Sequence, residues 1–188
     1  WFLDWGRDTF IAARGLLSAG WTEEVFGIVK AFARFEDRGS LPNVLNGENA
    51  SNRETSDAPL WFGKVCAELA EVVEGDIFTE KMGDGRQLCE ILISIGCGYR
   101  DGTPHGIRMD LESGLIWSPS HFTWMDTNYP AGTPREGYPV EIQAMWIELL
   151  GLSMRLDSGG GWNVLERRAR ESFQRYFCQT SSGWVADL

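Results

Sequence analysis

FIAARGLLSAGWTEEVFGIVKAFARF, residues 10–35, holds the pattern on which the fold rests. Apolar side chains recur at three- and four-residue spacing from Phe10 to Leu17 and again from Val25 to Phe35, with Gly20 between the two runs. At 3.6 residues per turn this spacing gathers them on one face of a helix, and a glycine between two such runs marks a reversal. The stretch is therefore expected to fold as a helical hairpin.

The same rhythm continues outward. Ser56 to Val73 reads as a third helix, with Ser56 or Asp57 as its cap and Pro59 in its first turn. A fourth is expected from Phe78 to Cys97, a fifth from Pro139 to Leu156, and a sixth from Trp162 to Phe177 after the break Ser158-Gly159-Gly160-Gly161. No segment alternates over several residues with β-branched content, so any strands are expected as short pieces inside the loop of residues 98–137. Long loops follow even-numbered helices, at residues 39–56 and 98–137, which would gather them at one end of a helical array. A site would be built at that end.

The chain has 188 residues, 43% of them hydrophobic, enough for one domain or part of one. Its net charge of -10 excludes nucleic acid as an expected partner, since that affinity depends on Lys and Arg neutralising phosphates. A neutral ligand fits better. No apolar run approaches the roughly 20 residues of a membrane span, and the sequence starts without Met or a basic leader, so no targeting signal is read. Four cysteines lack metal or redox spacing and are expected as reduced, buried thiols of a cytoplasmic protein. Nine Trp are a surplus. Trp1, Trp5, Trp61, Trp117 and Trp124 lie at the edges of periodic segments, where flat rings suit the apolar faces of sugars.

Three segments carry candidate chemistry. In Trp5-Gly6-Arg7-Asp8-Thr9, an adjacent cation and carboxylate sit where a loop enters a helix; Asp8 or Thr9 could cap it, or Arg7 and Asp8 could clamp neighbouring sugar hydroxyls. In residues 106–126, Asp110 and Glu112 suit turns, whereas Asp126 beside Trp124 and Met125 is expected to be partly desolvated, which favours the protonated form a general acid needs. In Thr133 to Ala144, Arg135 and Glu141 share a second loop-to-helix junction; a helix dipole alone could explain Glu141 there. Two junctions of this kind suggest a polar pocket between helix ends. His105 and His121 are the only histidines and lack partners at ligand spacing, so neither a metal nor another cofactor is expected.

Six motifs then occur in order: WGRDTFIAARGLL at 5–17, LPN at 41–43, SDAPLWF at 56–62, HGIRMDLESGLIW at 105–117, TWMD at 123–126 and TPREGYPVEIQAMW at 133–146. On these the chain, up to about Met154, resembles the glucosidase domain of glycogen-debranching enzymes, the amylo-α-1,6-glucosidases of glycoside hydrolase family 133. The resemblance implies an all-α fold, a glucoamylase-like (α/α) toroid of inner and outer helices. It implies hydrolysis, with inversion, of the α-1,6-linked glucose stub of glycogen or limit dextrin by one carboxylic acid and one carboxylate base. Carried over by residue, it implies Asp126 as general acid, Arg7 and Asp8 as the clamp on glucose, Trp5, Trp61 and Trp124 as pocket walls, and Arg135 and Glu141 as further pocket residues.

About twelve helices complete such a ring, so residues 1–188 are expected as a partial toroid, about half, cut at both ends and partnered by the remainder of the same chain. The family's base lies in a later segment, which implies that these residues alone are inactive. The loop between TWMD and TPR is short. A glucoamylase, trehalase or disaccharide phosphorylase would share the acid but differ in the attacking group, and a non-catalytic carbohydrate-binding fragment would use the carboxylates as caps.

Overall fold

A hairpin does form from the opening stretch: α1 (Gly6–Ser18) and α2 (Thr22–Ala33) are joined by a turn in which Gly20 holds φ +84°. The computed structural model describes residues 3–127, 132–178 and 183–188, so Trp1 and most of the loop between TWMD and TPR lie outside the described residues. Among these, six helices and a few short strands make the fold mostly helical. After the hairpin come α3 (Ala58–Val72), α4 (Leu88–Asp101), α5 (Val140–Leu156) and α6 (Trp162–Phe177). α3 packs against α1, α2 and α5; α5 in turn packs against α4 and α6.

Aromatic packing seals the first of these contacts. The Phe10 ring lies 4.7 Å from Phe32 and 5.6 Å from Phe62, uniting α1, α2 and α3, all three rings being buried. Emptying this centre by Phe10→Ala would cost about 3–5 kcal/mol. Between α3 and α5 the packing is close: a Cβ at Gly63 would stand 3.0 Å from the tip of the Leu149 side chain.

Three expectations are corrected. α1 starts at Gly6, ahead of the periodic run, so Arg7 and Asp8 occupy its first turn rather than a loop. The fourth helix starts at Leu88, not near Phe78, which sits in a 3-10 turn at Ile77–Thr79. A turn with Gly85 at φ +87° intervenes, and a reciprocal cap between Gln87 and Glu90 restarts the helix. Strands also occur outside the long loop: β1 (Asp4–Trp5), β2 (Val44–Asn46) and β3 (Asn49–Ser51) form an antiparallel sheet in that order. Too short to show alternation, they draw the N-terminal segment onto the loop of residues 39–56. A second pair, β4 (Arg108–Met109) with β5 (Ile116–Trp117), lies in the long loop as expected.

All four cysteines are free, but only Cys66 is fully buried; Cys89 and Cys97 are half-buried and Cys178 is exposed. Burial pushes the Cys66 thiol far up in pKa, which keeps it inert. No helix among the described residues is long and apolar enough to cross a membrane.

The loops are fixed by buried polar contacts. Gln143 on α5 accepts from the Ile116 amide at 2.7 Å and donates to the Ile116 carbonyl at 2.9 Å, which pins β5 to the helix. Tyr99 on α4 donates to the Ser56 carbonyl at 2.7 Å, and the Ser56 and Ser118 hydroxyls meet at 2.8 Å. The start of α3 and the long loop are thereby joined at one end of the helices.

Candidate functional site

Strand pairing brings the site together. β1 aligns Trp5 with Val44, after which the Gly6 amide donates to the Asn43 carbonyl at 2.9 Å and the Arg7 amide to the Asn43 side-chain oxygen at 3.1 Å. Asn43, the last residue of LPN, thus satisfies the open amides at the start of α1 from 36 residues away. Asp8 and Thr9, the expected caps, lie within the first turn and do not serve. Asn43 is fixed in turn, since its amide donates at 2.6 Å to the carbonyl of Asn52, which holds φ +54°.

Arg7 then projects from the first turn into a ring of acceptors. Its Nε donates to Asp57, its Nη1 to Asp126 Oδ2 at 3.0 Å and its Nη2 to the Thr123 carbonyl at 2.9 Å. A guanidinium has five N–H donors; three are used among the described residues, leaving one on each terminal nitrogen. Burial opposes the charge of Arg7, but the hydrogen bonds and charges of Asp57, then Asp126, more than offset it and raise its pKa. Asp57 is buried at the entrance to α3, its other oxygen taken by the Thr55 hydroxyl at 2.7 Å.

Asp126 is on the open side of this cluster. Its side chain is 39% exposed and faces a polar cleft of about 660 Å³, lined also by Trp5, Arg53, Glu54, His105 and His121. The desolvation expected from Trp124 and Met125 is not found. Trp124 turns outward, 57% exposed, and Asp126 rests on an arginine instead of an apolar wall. Trp5, 41% exposed, presents a ring to the cleft.

A second arginine contrasts with the first. Arg135, with φ +47°, is buried, and its guanidinium donates twice to Glu141, twice to the Asp187 carboxylate and once to the Thr123 hydroxyl at 3.4 Å. All five N–H groups are engaged. Hydrogen bonding to Glu141 is the largest influence on Arg135 and raises its pKa against the cost of burial. Arg7 and Arg135 thus meet at one residue, buried Thr123, three positions before Asp126. Neither arginine lines the cleft, nor does Glu141; Asp126, held by Arg7, does.

Other sequence candidates fall around this centre. Asp8 is exposed and forms no ion pair among the described residues. Trp61 packs half-buried under Arg14, the guanidinium 5.6 Å from its ring, and does not line the cleft. Asp110 is a turn-former: Ser113 donates to it through amide and hydroxyl, at 2.8 and 2.7 Å. Sequence reasoning gave no role to Asn43, Thr123, Arg53 or Glu54, and read Asp57 only as a candidate helix cap. LPN and SDAPLWF flagged Asn43 and Asp57, yet nothing local could say that their polar groups converge on Arg7. Backbone at positive φ in the non-glycine residues Asn52, His121 and Arg135 also clusters here, as strain tends to do at sites held for a purpose.

A family model described as amylo-alpha-1,6-glucosidase matches residues 1–188. The chain is also similar to the glycogen debranching enzyme of Saccharomyces cerevisiae, 25% identical over 210 residues that cover 83% of this chain and 14% of that protein. It therefore spans a small part of the relative it matches.

Proposed function

The chain belongs to the amylo-alpha-1,6-glucosidase family, and from that premise we propose that it forms part of the active site of a glycoside hydrolase that releases glucose from α-1,6 branch stubs of glycogen or limit dextrin. One observation carries the reading: an aspartate, Asp126, open to a polar cleft and held by an arginine of which two N–H groups are unused among the described residues. In this proposal a terminal glucose stands in the cleft against the Trp5 ring, and the spare donors of Arg7 bind neighbouring hydroxyls. Each such charge-assisted bond contributes about 1.5–3 kcal/mol. Asp8, exposed next to Arg7 in sequence, and Trp124, exposed two residues before Asp126, are the proposed further sugar contacts; Trp61, packed under Arg14 and outside the cleft, is a structural residue. Arg135 and Glu141 act behind the wall, bracing Thr123.

Asp126 gives its proton to the glycosidic oxygen as the bond to C1 breaks. A water molecule attacks C1 from the opposite face and loses a proton to a second carboxylate. Inverting enzymes keep the two carboxyls about 6.5–9.5 Å apart to admit that water. Glu141 is locked onto Arg135, so the proposed base comes from elsewhere, in keeping with residues 1–188 forming part of a larger toroid of helix pairs.

The test is direct. The protein expressed from its complete open reading frame is given a dextrin carrying single α-1,6 glucose stubs, and the released sugar is followed by NMR. Free glucose released first as the β-anomer supports hydrolysis with inversion. Glucose 1-phosphate formed only with phosphate would move the chain to the phosphorylases, and binding without any product to the non-catalytic reading.

A further inference from the structure

His121 stands in the wall of the cleft with two unfavourable features at once. Its backbone holds φ +62°, in the left-handed region that costs any residue but glycine. Its ring nitrogen Nδ1 is buried without a hydrogen-bond partner, and among the described residues Nε2 has none either. Neither feature comes from a loose loop. The His121 amide donates to the Pro134 carbonyl at 2.9 Å, and the carbonyl of the next residue, Phe122, accepts from the Ser56 amide at 2.7 Å. By contrast, three other polar residues of the cleft are engaged: Arg53 donates to the Ser40 and Phe35 carbonyls at 3.0 and 2.6 Å, the Asn52 side-chain oxygen accepts from the Glu54 amide at 3.3 Å, and Asp126 is held by Arg7. Enforced strain together with an unmet polar group marks a residue kept for what it binds.

The chemistry of the ring narrows the ligand. A neutral imidazole offers one N–H and one lone pair; whichever of them Nε2 presents, a sugar hydroxyl meets it, being donor and acceptor alike. Which sugar follows from the reading of Asp126 as the acid, on which this inference rests. The acid stands at the bridging oxygen, so one sugar lies on each side of it. Trp5 and Arg7, at the start of α1, take the terminal glucose, and the wall built by the long loop, with His121 five residues ahead of Asp126, is left for the other. At about 660 Å³ the cleft has the size of sites that take drug-sized ligands, larger than one hexose. We infer that His121 is a specificity-determining residue whose Nε2 hydrogen-bonds a hydroxyl of the glucan residue that carries the branch.

The experiment compares His121→Gly with wild type, each expressed from the complete open reading frame. Glycine adopts φ +62° freely, so the variant removes the ring, the strain and the unmet nitrogen while keeping the backbone path. Its melting temperature should be no lower than that of wild type, although most substitutions lower it. Against a singly branched dextrin KM should rise about three- to tenfold with kcat unchanged, as for loss of one hydrogen bond made equally before and during the reaction. α-Glucosyl fluoride, which has no sugar on the leaving side, should show the same KM and kcat with both proteins. An unchanged KM on the dextrin overturns the inference. So does an equal rise on both substrates, which would put the ring against the terminal glucose, and so does a fall in kcat alone, which would mean that the loop leading to Asp126 had shifted. A lower melting temperature with loss on both substrates would make His121 a structural residue and overturn it as well. If wild type releases no glucose from the dextrin, the functional reading itself has failed; if it does and KM stays, only the role of His121 has.

Discussion

Arg7 and Arg135 each stand at a helix entrance between two carboxylates, Asp57 and Asp126 for one, Glu141 and Asp187 for the other, and both donate to Thr123. Yet among the described residues Arg7 uses three of its five N–H groups and holds Asp126, which lines the cleft, whereas Arg135 is buried with all five engaged. The motif pattern is alike and the donor count is not. A guanidinium with unused donors beside an open cleft is built to receive a ligand; a saturated one is built to hold the chain. An Arg–carboxylate pair in a sequence cannot show which it is, because the difference lies in groups brought from elsewhere.

The largest effect that tests this contrast is at the carboxylates. Asp126→Asn should lower glucose release from a branched dextrin by roughly 10² to 10⁴, the usual contribution of a general acid, while sparing α-glucosyl fluoride. Glu141→Gln should do neither and should lower the unfolding midpoint instead. Equal loss of both substrates in Asp126→Asn would move the acid role to Glu54, the other carboxylate lining the cleft.

Exchanging each arginine for lysine comes next. Lysine keeps the charge but not the planar fork. Arg7→Lys should raise KM about 10- to 100-fold through loss of one charge-assisted bond to the sugar. Arg135→Lys should leave KM within about twofold and cost stability, about 1–3 kcal/mol for buried acceptors left unmet. A large KM change from Arg135→Lys, read in steady-state kinetics, would break the distinction.

How far the sequence announced these regions can be judged residue by residue. The helices were legible because their apolar spacing is local: Phe10, Val25 and Leu69 lie on buried faces and are buried. Helix starts were less so. α1 begins before its periodic run because Asn43 supplies the cap from a distant loop, and α4 begins late because the turn at Gly85 breaks a pattern that is apolar on both sides. β1 to β3, of two or three residues each, show no alternation to read. In the site, Arg7 and Asp126 stand out by residue type and motif, but the burial of Asp57 and the saturation of Arg135 depend on pairings 50 and 52 residues apart.

Asp110 sharpens the comparison most finely, being a carboxylate held without any arginine. The Ser113 hydroxyl, then the Ser113 amide, hold its pKa below the usual carboxylate value, with burial working weakly against them. Since the folded-state value is the lower one, the stabilisation is complete above the unfolded pKa of about 3.9 and is lost as pH falls through the folded value. Asp110→Asn should therefore narrow the gap between stabilities measured near pH 6 and near pH 3. The change at neutral pH should be about 0.5 kcal/mol or less, as for other partly exposed turns. Urea unfolding at the two pH values measures it. An unchanged gap would mean that neutral donors do not bias this carboxylate at all, and that the ionised state of such groups in this protein is set by the arginine clusters alone.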